Sequence, residues 1–265
     1  ASVARDVRFW NVADHTPAVG RVLMADQPVW SLAFAQPEGQ LLALGCDGSI
    51  LEVFEFPALH SIFREVLARG KAKERIGNVQ FSSDGSLLAA ACWDQLIYLL
   101  RVRRGHNNGV WEVRAIRTLR GNSSSPLCTM FSANSNFIMS NSKDRQILFW
   151  RTEDGALEQS TSMFRDTRWQ LPWTCILGWP VIGIWNDPNY DQTSIKSVCQ
   201  SVPPDEGYVA VGDDFGCVKL FRFPCPSPNA PCSSHHGHGA FVTQVRFSRN
   251  NILASLGGDD HSVAL

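Results

Sequence analysis

The fold is indicated by three consecutive segments: Asn78-Val79-Gln80-Phe81-Ser82-Ser83-Asp84-Gly85, the apolar run Leu87–Ala91, and Asp94–Tyr98. Asp84-Gly85 is typical of a tight turn between two antiparallel strands. The short and continuous apolar run is expected of a strand that is buried on both faces. Asp94 then precedes another run of strand-forming residues. The segment therefore predicts three short antiparallel strands joined by turns.

The same arrangement occurs five times along the chain. Each copy has a first strand that commonly ends in Phe, a small apolar second strand, and an Asp shortly before a third strand. The repeated residues are Asp47, Asp94, Asp144, Asp214 and Asp260, at spacings of 47, 50, 70 and 46 residues. Three of these spacings lie near the roughly 40–50 residues of a propeller blade. The repeat predicts an all-β propeller.

This pattern resembles the WD-repeat β-propellers. In that family an Asp lies in the turn before the third strand and a Trp ends that strand, as Trp150 does here. Gly237-His238 matches the dipeptide that opens a blade. The resemblance implies a hydrogen-bond network of His238 with Ser255 and Asp260, which would satisfy polar groups where the strands of a blade meet.

The blades depart from the family pattern. Asn122 stands where a His would follow Gly121, and Phe54 and Phe221 replace the terminal Trp. We expect a WD-repeat-type propeller of about six atypical blades, belonging to a tandem pair of propellers. The predicted boundaries within this single propeller, 1–265, are a partial blade at 1–12, an insert at 163–187, and blades at about 27–56, 74–118, 120–150, 194–223 and 237–265.

The insert within the 70-residue spacing is rich in tryptophan. Trp169, Trp173, Trp179 and Trp185 fall within 17 residues. We expect an extra pair of strands whose aromatic side chains pack against the neighbouring sheet. The alternative is an aromatic-lined ligand site, which no convergent polar or charged pair supports.

A narrower resemblance rests on four stretches: Ser140 to Trp150, Arg165 to Trp169, Thr174 to Trp185, and Gly212 to Phe221 followed by Pro224-Cys225. They look like the echinoderm microtubule-associated-protein-like family, and the match is with its C-terminal propeller. It covers about 120–265 well and extends more loosely back to about 26.

The resemblance implies a non-catalytic interaction platform that associates with tubulin or microtubules and contacts other proteins through its propeller faces. It places the protein in the cytoplasm, on the microtubule cytoskeleton, with the cilium as a narrower possibility. Many members of that family also have an N-terminal coiled coil that trimerises and contributes to microtubule binding. No heptad pattern occurs here, so we expect oligomerisation only through regions outside this chain. The alternatives are a generic WD-repeat scaffold of another assembly, for example a ciliary or axonemal one, and, more remotely, a propeller enzyme.

Composition excludes several other classes. Lys and Arg number 24, Asp and Glu number 25, and the net charge is −1. Surfaces that bind nucleic acid or anionic membranes carry a strong field of one sign, so we expect neither partner. The eight Cys residues are dispersed through apolar segments, as free buried thiols are. Because no catalytic or cofactor motif occurs, we expect no catalytic residue and no cofactor.

Several residues that could bind a metal ion lie close together in sequence near the end of the chain. Cys225, Cys232, His235, His236 and His238 fall within 14 residues, and zinc takes four such ligands. The spacing is not that of a zinc finger, however, and the surrounding residues are explained as an inter-blade segment and a blade opening. We expect no metal site, and a solvated loop that contains one structural histidine.

Local charge is more informative than net charge. Residues 101–120 contain six arginines against Glu112 alone: Arg101, Arg103, Arg104, Arg114, Arg117 and Arg120. They form either a solvated edge and loop or a basic rim that binds an acidic partner such as the tubulin surface. A second basic-leaning stretch, from Arg64 to Arg75, is offset by Glu65 and Glu74.

Overall fold

The computed structural model describes residues 5–11, 16–35, 39–68, 74–105, 109–185, 195–202, 207–228, 230–248 and 250–265. They fall into two compact units, one within 2–158 and the other within 159–265. Apart from three short 3₁₀ segments, the regular structure is all β. None of the helical segments in the described ranges has the length and apolar character needed to cross a membrane.

The strands, in chain order, are β1 (Asp6–Asn11), β2 (Thr16–Met24), β3 (Val29–Phe34), β4 (Leu41–Cys46), β5 (Ile50–Glu55), β6 (His60–Val66), β7 (Ile76–Phe81), β8 (Leu87–Cys92), β9 (Ile97–Arg104), β10 (Trp111–Leu119), β11 (Pro126–Phe131), β12 (Phe137–Ser142), β13 (Ile147–Arg151), β14 (Ile195–Gln200), β15 (Tyr208–Asp213), β16 (Cys217–Arg222), β17 (Cys232–His236), β18 (Val242–Phe247), β19 (Leu253–Gly257) and β20 (Val263–Ala264). The 3₁₀ segments are Asp47–Ser49, Ser162–Phe164 and Trp179–Trp185.

Sequential antiparallel pairing arranges these strands into blades. The first unit contains the first blade (β3–β6), the second blade (β7–β10) and the third blade (β11–β13). The second unit contains the fourth blade (β14–β17) and the fifth blade (β18–β20). The expected number of about six blades is therefore wrong, and the described residues form five. The expected number counts the partial blade at 1–12 as a sixth, whereas β1 pairs only with β2 among the described strands and forms a sheet of two strands.

The second strands of the first two blades are the most buried elements of those blades. Every residue of β4 and of β8 is buried. One core cluster joins the first two blades through residues such as Leu41, Ala43, Leu88 and Ala90, and another joins the second and third blades around Phe131. Small apolar side chains let neighbouring blades approach closely on both faces of these strands.

The first strand of every blade carries a β-bulge near its beginning. The pairing of first and second strands skips one residue at the same place in all five blades, namely Trp30, Gly77, Leu127, Lys196 and Thr243. A bulge changes the direction of the side chain that it contains. The blades therefore share a local distortion as well as a strand order.

The described part of the insert, 163–185, forms 3₁₀ turns and no strand. The expected extra pair of strands is therefore wrong. Pro172 and Pro180 lack the backbone N–H that a ladder needs, and the ring of Trp173 lies so close to Gly178 that a Cβ there would be 2.3 Å from Cζ2. Trp173 is buried, and its Nε1 donates to the carbonyl of Cys175 at 2.7 Å, within the insert itself.

Candidate functional site

The arginine-rich segment forms the two outer strands of the second blade. β9 and β10 are antiparallel partners, with Arg101 opposite Arg114 and Arg103 opposite Glu112. Residues directly opposite each other in a sheet project from the same face, and so do residues two apart along a strand. These four side chains therefore share one face. All six arginines of 101–120 are exposed.

Three of the six arginines have partners within the chain. Arg103 pairs with Glu112, with Nη2 and Oε2 2.6 Å apart. Arg104 donates from Nε to the carbonyl of Gly109 at 2.9 Å. Arg117 donates from Nε and Nη2 to the carbonyl of Glu153, at 3.0 and 2.7 Å, and so ties the second blade to the third. These three side chains already have structural roles.

Arg101 and Arg114, which we call the arginine pair, are different. They are direct cross-strand neighbours, and neither forms an ion pair or a hydrogen bond with any residue in the described ranges. Like charges directly opposite each other destabilise a sheet. The pair is thus a local concentration of positive charge that the described part of the fold does not neutralise.

Arg120 does not belong to this surface. It follows β10, whose last residue, Leu119, pairs with Ile97 at the start of β9, whereas Arg101 is four residues further along β9 and pairs with Leu87 at the other end of the β8–β9 ladder. Arg120 is therefore at the opposite end of the sheet from the arginine pair. The six arginines that are close in sequence form one exposed pair, three internally bonded side chains and one separate residue.

The WD-type network is present in the fifth blade. The Nε2 of His238 lies 2.8 Å from the Oγ of Ser255, and its Nδ1 lies 2.7 Å from the Oγ of Ser262 and 3.3 Å from Oδ2 of Asp260. Asp260 also accepts hydrogen bonds from the backbone N–H groups of Gly239 and Ser262, and these bonds hold its pKa below the usual value. The network closes the turn before β20.

The third blade contains a variant of this network. Asn122 accepts a hydrogen bond from the Oγ of Ser140 at 3.0 Å, as His238 is bonded to Ser255 in the fifth blade. Asp144 accepts hydrogen bonds from Ser123 and Ser142, which lower its pKa. Trp150 is fully buried between the second and third blades, and its Nε1 has no hydrogen-bond partner among the described residues.

The remaining turn aspartates differ from blade to blade. In the second blade, Asp94 accepts from the backbone of Leu96 and from the hydroxyl of Tyr98 at 2.7 Å. In the fourth blade, Asp213 and not Asp214 closes the turn, because its buried carboxylate accepts from the N–H groups of Phe215 and Cys217. Asp214 pairs with Lys196 at 2.9 Å. Asp47 lies in the corresponding turn of the first blade.

The five candidate zinc ligands do not converge. Cys232 and His236 are at the two ends of β17, about 13 Å apart along an extended strand, and His238 is occupied by the network described above. The expected solvated loop is largely this exposed strand. Among the described residues, no group of three or more His, Cys, Asp or Glu side chains is placed to hold a metal ion.

One notable arrangement was not predicted from the sequence. The Cζ of Arg75 lies 3.7 Å from the ring centre of Trp30 and 3.4 Å from that of Trp93, and the Nζ of Lys143 lies 3.5 Å from the ring centre of Trp93. The basic-leaning stretch from Arg64 to Arg75 includes this arginine, but the other residues of the stack come from three blades: Trp30 from the first, Trp93 from the second and Lys143 from the third. Arg64 pairs with Asp26 at 2.8 Å, and residues 69–73 of that stretch lie outside the described residues.

Comparisons with known proteins agree with this architecture. A chain in the crystal structure of the mitotic checkpoint complex superposes with a TM-score of 0.66, covering 97% of this chain and 79% of that chain. The two sequences are 12% identical, so this likeness concerns the fold alone.

Sequence comparison is more specific. The chain is 36% identical over 230 residues to human echinoderm microtubule-associated protein-like 3. It is 32% identical over 262 residues to echinoderm microtubule-associated protein-like 4 of Xenopus laevis. These matches cover 86% and 98% of the chain but only 24% and 26% of the relatives, so the chain spans about a quarter of their length. The family model of the echinoderm microtubule-associated protein second beta-propeller matches residues 1–265. The chain therefore belongs to the echinoderm microtubule-associated protein family and corresponds to the second β-propeller of that family.

Proposed function

We propose that this propeller is a non-catalytic interaction platform that associates with tubulin or microtubules, and that the arginine pair contributes to the contact. The names of its relatives describe microtubule-associated proteins. The observation that carries the proposal is the direct opposition of Arg101 and Arg114 without a neutralising acid in the described part of the fold. An acidic partner would relieve their repulsion.

Arginine suits this role because its planar guanidinium binds carboxylates with two parallel hydrogen bonds. Two such groups side by side present a short row of donors on a rigid sheet. The attraction acts over a Debye length of about 8 Å at physiological ionic strength, so binding is expected to weaken as salt is added.

The proposed location follows from the partner: the cytoplasm, on microtubules, including those of cilia. Other proteins are proposed to bind through the remaining blade surfaces. Oligomerisation is proposed to occur only through regions outside this chain, because the sequence of the propeller contains no heptad pattern that would drive a coiled coil.

The test is co-sedimentation of the 265-residue chain with microtubules, with pull-down of soluble tubulin as a second measurement. The double variant Arg101→Glu, Arg114→Glu is expected to bind about tenfold more weakly, since each exposed ion pair contributes about 0.2–1 kcal/mol and the reversed charges would repel an acidic surface. The matched control is Arg165→Glu, Arg222→Glu. It makes the same change in net charge at exposed arginines of the other compact unit.

Three results would contradict the proposal. If the wild-type chain neither pellets with microtubules nor binds tubulin, the generic scaffold becomes the better interpretation. If the double variant and the control lose binding equally, only net charge matters. If the double variant binds as the wild type does, the arginine pair is not the contact.

A further inference from the structure

Trp30, Arg75, Trp93 and Lys143 form an alternating stack of aromatic rings and cations, which we call the cation ladder. The Cζ of Arg75 is at van der Waals distance from the centres of two different rings, so the guanidinium lies between them. The Nζ of Lys143 is as close to the centre of Trp93 as Arg75 is, and the two cations must therefore lie on opposite faces of that ring. The ladder joins the first three blades.

The fold builds this ladder with two features of the first strands. Trp30 is the bulged residue of β3, and the bulge turns its ring out of the regular alternation of the strand. The equivalent bulged residue of β7 is Gly77, and a Cβ there would lie 2.7 Å from the Nε1 of Trp93. Because Gly77 has no side chain, the ring of Trp93 can occupy the space beside the bulge of β7.

Stacking leaves the donors of Arg75 unused. Its guanidinium is half-buried, yet among the described residues it forms no ion pair and no hydrogen bond. Burial lowers the pKa of Arg75, and the negative charges of Asp47 and Glu74 partly oppose this effect. An arginine stays protonated regardless, so a charged group with its N–H edge unsatisfied is held rigidly between two rings.

We propose that the cation ladder is a binding site for a carboxylate of an acidic peptide segment in a partner protein. The edge of the Arg75 guanidinium would donate two parallel hydrogen bonds to the carboxylate. Lys143, which is exposed, supplies a second positive charge. The two indoles, which are partly exposed, would contact an apolar residue beside the acidic one, as aromatic anchors do at interfaces.

Neighbouring charges favour a single carboxylate over a polyanion. Asp94 and Asp144 belong to the same turns as Trp93 and Lys143, and Asp47 is near enough to affect Arg75. Nucleic acid or an anionic membrane would bring many phosphates against these carboxylates. A peptide can place one acidic side chain at Arg75 and neutral or basic residues near the aspartates.

The site is separate from the arginine pair and does not depend on the proposed function. Arg101 pairs with Leu87 at the beginning of β8, whereas Trp93 follows the last residue of that strand. At about 3.3 Å per residue, the two sites lie about 20 Å apart at opposite ends of one sheet.

The experiment uses the complete 265-residue chain with ¹⁵N-labelled indoles, assigned through Trp30→Phe and Trp93→Phe. The probes are the blocked heptapeptide GSEFGSG, which carries one carboxylate, its amide counterpart GSQFGSG, and inorganic phosphate. We expect the Glu peptide to shift the Trp30 and Trp93 indole signals saturably and to bind about tenfold more tightly than the Gln peptide, because only the carboxylate forms charge-assisted hydrogen bonds. Arg75→Gln should remove this preference, and Arg101→Gln with Arg114→Gln should preserve it.

Two further variants keep the proposal falsifiable should Arg75→Gln fail to fold. Arg75→Lys retains the charge but loses the planar stack and the paired donors, and should weaken the Glu peptide severalfold. Lys143→Gln changes an exposed side chain and should weaken it to a lesser degree. Equal binding of the two peptides, no binding by the wild type, unchanged binding in both of these variants, or a preference for phosphate over the Glu peptide would each overturn the proposal.

Discussion

The Nε2 of His238 lies 2.8 Å from the Oγ of Ser255, and Asn122 occupies the corresponding place in the third blade, 3.0 Å from the Oγ of Ser140. The side chain of His238 is 1% exposed and that of Ser255 is also buried. An amide in the third blade and an imidazole in the fifth thus form hydrogen bonds with equivalent serine hydroxyls. The chain itself therefore suggests which substitution the network tolerates.

His238→Ala is expected to lower the free energy of unfolding by about 2–4 kcal/mol, because it removes a buried ring and leaves the Ser255 hydroxyl without its partner. His238→Asn is the matched variant. It can keep the bond to Ser255, as Asn122 does with Ser140, and should lose roughly half as much. Urea denaturation measures both values. Equal losses would mean that the ring fills space and that its hydrogen bonds contribute little.

A second prediction concerns two glycines in equivalent turns. Gly48 and Gly216 both have positive φ, at 68° and 74°. A Cβ at Gly48 would meet nothing within 4 Å, whereas at Gly216 it would lie 2.3 Å from the carbonyl oxygen of His238 and 2.7 Å from that of Ala240. The two positions separate backbone strain from steric conflict.

Gly48→Ala should lower the free energy of unfolding by about 1–2 kcal/mol, because only the strain of a left-handed backbone conformation acts there. Gly216→Ala should cost at least about 2 kcal/mol more, since backbone atoms that belong to the fifth blade cannot move aside easily. Thermal denaturation of the two variants compares these losses directly. Similar melting temperatures would show that the turn after β15 is free to move away from His238.

The sequence predicted the elements whose signals are local. The apolar run Leu87–Ala91 predicts a buried strand, and Asp84-Gly85 predicts the turn before it. In the structure this strand is β8, and all its residues are buried. The fourth strands were harder to recognise. β6 and β17 are mostly exposed edge strands, and the residues Cys-Ser-Ser-His-His of β17 have neither apolar alternation nor high strand propensity. Pairing with β16 makes this segment a strand.

The candidate sites depend on strand register and on contacts between residues that are far apart in the sequence, which local sequence patterns do not show. Six arginines in 20 residues were evident, but their separation depends on the register of β9 and β10, including a bulge between Ala115 and Arg117. The cation ladder needs side chains from three blades, and no local pattern connects Trp30 with Lys143. The sequence shows where arginine and tryptophan are locally concentrated, and only the tertiary structure shows which arginines and tryptophans meet.

A third prediction concerns stability at alkaline pH. Burial raises the pKa of Cys92 from 9.0 to about 11, and the same effect acts on Cys225. Such thiols stabilise the fold fully below pH 9, where folded and unfolded forms are both protonated. Above pH 9 the unfolded thiol loses its proton while the folded one keeps it, so the contribution is lost as the pH rises towards 11.

The free energy of unfolding should therefore fall between pH 9 and pH 11. Cys92→Ala removes one of the titrating groups and should make this fall smaller, although the variant is less stable at pH 8 because it leaves a small cavity. Urea denaturation at a series of pH values gives both slopes. Identical slopes in wild type and variant would show that the thiol of Cys92 is not protected by burial.

The last prediction separates stability from binding at the arginine pair. Arg114→Glu replaces a repulsive cross-strand neighbour of Arg101 with an attractive one, and cross-strand pairs of opposite charge are worth about 0.2–1 kcal/mol. The variant should thus be slightly more stable than the wild type in urea denaturation, while it binds microtubules more weakly in co-sedimentation. Arg103→Gln is the comparison, because it breaks the bond to Glu112 and should lower stability slightly while leaving the pair intact. If the arginine pair is a binding surface, its positive charges lower the stability of the isolated chain and raise its affinity for an acidic partner. A variant that removes the repulsion should therefore change stability and binding in opposite directions. If Arg114→Glu lowers both quantities together, the residue supports the fold and the arginine pair is not a binding surface.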